Sequence, residues 1–166
     1  PRSSSRTGQD VGALLPGTPR FALNLVGEQG SAKSTTTKML RALVDPAKPL
    51  TVRLPKDVVD LAQLAAHSYV LAFDNLTSIP EDISDALCGI VTGDGVQKRK
   101  LYTDEGDVIF DYMRVLVMNG IGNFVVRPDL LDRCLIVRLP SIPKGKRRPE
   151  ALISKDFEAA QLSVIS

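Results

Sequence analysis

From Phe21 onward the chain alternates short apolar runs with segments whose apolar residues recur at helical spacing. The runs Phe21–Val26, Leu50–Leu54, Tyr69–Phe73, Met113–Met118 and Cys134–Leu139 are strand-length and predominantly apolar, as strands covered on both faces of a sheet must be. Helices are predicted over Lys33–Val44, Asp57–Ala66 and Glu81–Val91, and in the second of these Val58, Leu61, Leu64 and Ala65 share one face behind a proline, Pro55, at its start. Strand–helix alternation of this kind predicts an α/β fold in three layers: a five-stranded, mainly parallel sheet with helices on both faces.

Three stretches depart from the alternation. Between Gly93 and Asp111 the sequence is polar, glycine-bearing and β-rich, and reads as a hairpin inserted between a helix and the fourth strand. Residues 1–20 mix Ser, Arg, Gly and Pro around one apolar patch, Val11–Leu15, and read as a linker or a fragment of a preceding module. After Pro140, a basic stretch carrying Lys144, Lys146, Arg147 and Arg148 reads as a flexible linker into a last helix of about Glu150 to Leu162. The expected organisation is therefore a core over 21–140 and a basic linker with the start of a helical element over 141–166.

Composition narrows the function classes. With 166 residues, 43% of them hydrophobic, the chain can bury one sizeable core and not two. Its apolar runs fall well short of a bilayer span and its N-terminal region lacks a secretory signal, so no membrane partner and a cytoplasmic protein are expected. Cys88, Cys134 and the single His67 have no metal-ligand or redox spacing. A formal charge of +2 leaves any case for nucleic-acid binding to local clusters of charge.

Directly after the first strand comes Gly27-Glu28-Gln29-Gly30-Ser31-Ala32-Lys33-Ser34, followed by Thr35 to Thr37. Strand, glycine-bearing loop and helix in this order make a phosphate-binding loop. The glycines let backbone N–H groups converge on a β-phosphate, the helix offers its positive end, and Lys33 adds a full charge at the β/γ oxygens. Ser34 is the expected Mg²⁺ ligand, Thr35 completes the cradle, and ATP with Mg²⁺ is the expected ligand pair. One departure is Ala32, where glycine usually precedes the lysine; it brings a Cβ near the phosphates and restricts access to positive φ. The other reading of these residues is a turn capping an ordinary helix, and the flanking strand and helix weigh against it.

The third strand ends in Asp74-Asn75, which puts a carboxylate at the sheet edge where nucleotides bind. Asp74 is expected to hold Mg²⁺, or else to serve as a turn or helix-capping residue. Asn75 stands where a water-polarising acid is common in motor ATPases and can only orient water, so Glu28, Asp82, Asp85 and Asp94 remain candidate bases. The fourth strand delivers Asn119 to the same edge, either to hydrogen-bond a γ-phosphate or lytic water or to form an ordinary turn with Gly120. Arg133 closes a short helix, Arg127 to Arg133, where it either reaches the γ-phosphate of a neighbouring subunit, a contribution of about 10³ to 10⁵ in turnover, or pairs with Asp129 or Asp132; Arg127 is the reserve. In the hairpin, Lys98, Arg99 and Lys100 beside Tyr102 could hold phosphates and stack a base, or form a solvated charge run.

Taken together, these residues resemble the superfamily three helicases and the related phage and plasmid primase-helicase ATPases, members of the AAA+ class. The resemblance covers about Phe21 to Leu139 and rests on the loop at Gly27 to Ser34, Asp74, Thr92-Gly93-Asp94 with Lys98 to Lys100, Asn119 and Arg133. It implies a ring oligomer, a hexamer, translocating on single-stranded DNA, gripped by the basic hairpin in the central pore, with a primase fused or separate. Ala32, Asn75 and the lack of a visible lid domain depart from that pattern. An ATP-hydrolysing DNA motor is thus the leading expectation, a nucleotide-binding module that switches or assembles a partner the alternative. A small-molecule kinase fits less well, since the inserted hairpin would have no use.

Overall fold

The computed structural model describes residues 20–93, 97–98, 108–109 and 113–165. In chain order it forms β1 (Ala22–Val26), α1 (Lys33–Val44), α2 (Val58–His67), β2 (Val70–Leu76), α3 (Glu81–Thr92), β3 (Gln97–Lys98), β4 (Val108–Ile109), β5 (Val115–Gly120), α4 (Pro128–Leu131), β6 (Cys134–Arg138), a 3₁₀ turn (Lys144–Lys146) and α5 (Glu150–Ile165). The main sheet has the order β2-β5-β1-β6, and its three pairings are all parallel. β3 and β4 pair antiparallel through Gln97↔Ile109 and Lys98↔Val108, consistent with the expected hairpin.

The sheet has four strands among the described residues, not the expected five. Leu50–Leu54 supplies a single parallel bridge, Val52↔Phe73, with Val52 N–H donating to the Ala72 carbonyl at 3.0 Å and Asp74 N–H to the Val52 carbonyl at 3.4 Å. Pro49 and Pro55 bracket this run, whose backbone bends before Val52 and pairs with β2 at that one residue.

β1, β2 and β5 are covered on both faces, which is why they are apolar at successive positions, while the edge strand β6 leaves Leu135 and Ile136 exposed. Ala22, Leu71, Phe73, Leu116 and Met118 turn to one side and pack with Val58, Leu61 and Ala65 of α2 and Ile83, Leu87 and Ile90 of α3. Leu25, Val70, Ala72 and Val117 turn to the other side, with Leu40 of α1 against them. Each fully buried Leu, Ile or Phe contributes about 1.5–3 kcal/mol, and truncating Phe73 at the centre would cost about 3–5 kcal/mol.

Local chemistry sets the helix ends. Asp57 lies outside α2 as its N-cap, accepting from Asp60 N–H at 2.9 Å, so the helix begins one residue later than its apolar pattern predicts. α3 opens with Glu81 and Asp82 at its positive end and closes at Gly93 with φ 77°, a left-handed cap that glycine adopts without strain. α4 occupies only Pro128–Leu131 of the predicted Arg127 to Arg133 span.

The stretch after β6 lies against the core. Leu139 N–H continues the pairing to the Val26 carbonyl at 2.8 Å, and Ile142 N–H donates to the Gly30 carbonyl at 3.0 Å. α5 then docks on α1: Lys38 pairs with Glu150 at 2.7 Å and Gln161 Nε2 donates to the Ala42 carbonyl at 3.3 Å. No helix among the described residues is long and apolar enough to cross a membrane.

Candidate functional site

The parallel sheet collects the ends of β1, β2 and β5 at one edge, the edge at which α1 begins. The loop from Gly27 to Ala32 turns there by backbone geometry that few side chains allow. At Gly27 an added Cβ would lie 2.5 Å from the Leu139 carbonyl oxygen and 2.7 Å from Ser31 Oγ, so only glycine fits. Gly30 has φ 82°, and Ala32, the N-cap of α1, has φ 60° and ψ 25°. The positive φ that alanine resists is thus imposed at Ala32, at a cost of about 1–2 kcal/mol. Alanine also offers no acceptor to the first turn of α1, which carries no acidic residue, leaving that helix start suited to an anion.

Lys33 folds back over this loop, donating from Nζ to the carbonyls of Gly27 at 2.7 Å and Glu28 at 2.9 Å and, more distantly, to Ser31 Oγ at 3.4 Å. Ser31 is itself held by Glu28, whose carbonyl accepts from Ser31 Oγ at 2.9 Å. The next residue, Ser34, donates its hydroxyl to Asp74 Oδ1 at 2.8 Å, bridging α1 and β2. A hydroxyl and a carboxylate side by side are hard oxygen donors, and as a pair they suit a Mg²⁺ ion that completes its shell with water and phosphate. Thr35 follows in the first turn of α1, and Gln29 takes part through its carbonyl, which accepts from Ser141 Oγ at 3.4 Å.

Asp74 and Asn75 leave the ladder together. The register between β2 and β5 shifts between Phe73 and Leu76, and Asn75 takes φ 60°, a bulge that redirects side chains at the strand end. Asn119 braces this bulge: its Oδ1 accepts from Asn75 N–H at 3.3 Å and its Nδ2 donates to Thr37 Oγ1 at 2.7 Å. With Asn119 only 1% exposed and Thr37 fully buried, the asparagine ties β5, the β2 bulge and α1 into one unit. Thr37 was visible in the sequence only as part of a threonine-rich run, since its partner lies 82 residues away.

Other sequence candidates fall elsewhere. Arg133, two residues past the end of α4, donates from Nη1 to the Asp129 carbonyl of that helix at 2.5 Å. Arg127 clamps α4 to α3 through Glu81 and through Asp85, the latter at 3.0 Å. Lys98 belongs to β3; Arg99 and Lys100, like Asp94, lie outside the described residues. Cys88 and Cys134 are half-buried thiols, and burial raises both, Cys134 to about 11. No group of three or more His, Cys, Asp or Glu side chains suited to a metal occurs among the described residues. A separate cavity of about 400 Å³ opens by α4, β1 and β6, walled by Val26, Val125, Leu131 and Ile136; it is mostly apolar and shares no acid or base with the loop.

The site also holds a cation that sequence reading assigned to a linker. The Arg147 guanidinium packs directly on Gly30, where a Cβ would collide with it. The signal in the sequence was only that of four basic residues after Pro140, with nothing to single out one of them.

A family model described as actinomycete integrative conjugative element replication protein matches residues 7–166. No curated protein matches the chain.

Proposed function

The chain belongs to the replication proteins of actinomycete integrative conjugative elements, and from that premise we propose that its core is a P-loop ATPase of the AAA+ class that drives a ring-shaped, hexameric DNA helicase or primase-helicase along single-stranded DNA. The observation that carries the proposal is the Ser34 Oγ to Asp74 Oδ1 contact of 2.8 Å, beside Lys33 and under the uncapped start of α1. Two residues 40 positions apart meet where a metal-bound triphosphate requires both.

On this reading the loop N–H groups and the start of α1 receive the phosphates. Lys33 exchanges the Gly27 and Glu28 carbonyls for the β/γ oxygens, gaining a full anionic partner for two neutral ones. Ser34 and Asp74 would hold Mg²⁺, and the ion would supply positive charge beside the phosphates. Asn119 acts through position: it fixes the bulge that aims Asp74 and Asn75 and pins Thr37 of α1. Asn75 orients water without taking its proton, so catalysis rests on alignment and charge. Lys98, Arg99 and Lys100 supply phosphate contacts, and three of them per subunit give a salt slope of about −2 on single-stranded DNA. Arg133 is the residue offered to a neighbouring subunit.

DNA-stimulated ATP turnover tests the proposal. Single-stranded DNA at low salt with Mg²⁺ should raise the rate, and Asp74→Ala should lower turnover by about 10²-fold or more. Turnover indifferent to DNA, or unchanged by Asp74→Ala, would remove the motor reading. The alternative, a nucleotide-binding module that switches or assembles a partner, is favoured by Asn75 at the position of the usual acid; tight ATP binding with zero turnover is its signature.

A further inference from the structure

One face of the main sheet is covered unevenly. α2 and α3 pack on the side to which Ala22, Leu116 and Met118 turn. By the two-residue period of a strand, Asn24 and Val26 of β1 turn to that side as well, level with Ile136 and Arg138 of β6. These four residues line the cavity of about 400 Å³, with Leu131 of α4 and Val126 of the loop before it. Val126 is 70% exposed and Ile136 46%, so the cavity opens onto an apolar surface. It also holds an unmet polar group. Asn24 is 4% exposed, and its Oδ1 has no hydrogen-bond partner among the described residues. A buried carbonyl oxygen without a donor destabilises the fold until an N–H is brought to it.

The chain itself supplies an occupant. Arg20, the first described residue, is buried, and its N–H donates at 2.8 Å to the carbonyl of Val91 in α3. Since α3 lies on the same side of the sheet as Asn24, the chain enters β1 from the side on which the cavity opens. Four residues, Pro16-Gly17-Thr18-Pro19, separate Arg20 from the apolar and uncharged run Val11-Gly12-Ala13-Leu14-Leu15. Four residues reach about 13–14 Å, and Asn24 stands about 13 Å along the strand from Arg20. Pro19, directly before Arg20, presets the φ of a turn, and a chain reversed there runs back over β1. So short a link holds the run near the cavity at an effective concentration of about millimolar, which favours it over a second copy of the chain.

We propose that residues 11–15 are an apolar strap that docks in the cavity between β1, β6 and α4, its leucine side chains against Val26, Val126 and Ile136 and one of its backbone N–H groups donating to Asn24 Oδ1. The run that composition assigns to a linker is then a part of the core. Its seat lies under Val26, the residue directly before Gly27, so the strap closes the sheet face beneath the strand that leads into the loop. The inference stands whether or not that loop binds a nucleotide.

Amide hydrogen exchange, read residue by residue by NMR across 11–15, tests the docking in the unaltered chain and in Ile136→Asp, with circular dichroism to verify folding. Ile136 is half exposed; should its variant not fold, Val126→Asp at the more exposed wall replaces it. Exchange across 11–15 should be about tenfold or more slower in the unaltered chain than in the aspartate variant. Asn24→Leu should release one amide of the strap and leave the others protected. The chain has no tryptophan, so Leu14→Trp adds a single reporter. Its emission should be blue-shifted and shielded from acrylamide, and both effects should vanish when Ile136→Asp is added. Equally fast exchange in the unaltered chain and the aspartate variant overturns the proposal. Protection that appears only as concentration and particle mass rise assigns the cavity to a second copy and overturns it too. Unchanged exchange at every strap amide in Asn24→Leu overturns the bond to Oδ1.

Discussion

At its C-terminal end α1 is closed by Asp45, whose Oδ2 accepts from Tyr69 N–H at 2.7 Å and Val70 N–H at 2.8 Å and lies 2.7 Å from Arg41 Nη1. At its N-terminal end the same helix starts from Ala32, a strained residue with nothing to cap the first turn, under a lysine that spends its charge on neutral carbonyls. At one end a carboxylate pairs with Arg41 of the helix and joins it to two N–H groups at the start of β2. The other leaves donors and a cation to be satisfied by something that is not protein. Strain and an uncapped first turn at one end, against a carboxylate that ties the other end to β2, separate the part of the helix that holds the fold from the part on which the proposed function rests.

The largest effect is expected at the closed end. Asp45→Ala strands the Arg41 guanidinium, 4% exposed, and two backbone N–H groups, and should cost about 3–5 kcal/mol in urea unfolding while leaving nucleotide affinity of the folded protein unchanged. Burial raises the Asp45 carboxyl, but the Val70 and Tyr69 N–H groups and Arg41 outweigh it, and its pKa falls below the ordinary 3.8. Its contribution to stability is therefore complete above about pH 4 and is lost as pH falls through the lower folded value; the acid transition of Asp45→Ala should be correspondingly shallower. A loss below 1 kcal/mol would show that the closed end is not what anchors α1.

Asn119→Leu tests the brace between the two ends. It deprives the buried Thr37 hydroxyl and the Asn75 N–H of partners and should destabilise by about 2 kcal/mol, with ATP turnover falling further than ATP affinity. If affinity and turnover fell together, Asn119 would be supporting the fold alone. The smallest effect is expected at the strained end. Ala32→Gly removes the left-handed penalty and should raise stability by about 1 kcal/mol, the reverse of the usual cost of glycine near a helix. A destabilised Ala32→Gly would show that the loop in solution does not hold Ala32 at positive φ.

Much of this architecture was legible because it is written locally. Helical spacing placed α1 from Lys33 to Val44, and the apolar runs placed β1, β2, β5 and β6 to within a few residues. The loop was legible too, since glycines, a lysine and a serine at fixed spacing after a strand carry the geometry with them. Composition alone misled the reading at Leu50–Leu54, which has a strand's composition but forms a single bridge. Partners far apart in sequence could not be read at all, such as Asn119 with Thr37, Asp45 with Tyr69 and Val70, and Arg147 with Gly30.

The amino-acid sequence by itself determined the alternation of strand and helix, the glycine-bearing loop and the residue types that line it, because periodicity and backbone conformation depend on neighbours within a few positions. Which asparagine braces the site, which carboxylate closes α1 and which of four basic residues after Pro140 rests on the loop were decided only by tertiary structure. Those choices depend on how separate segments cross in space. The bonds that fix the crossing, Leu139 to Val26 and Ile142 to Gly30, join residues more than a hundred positions apart.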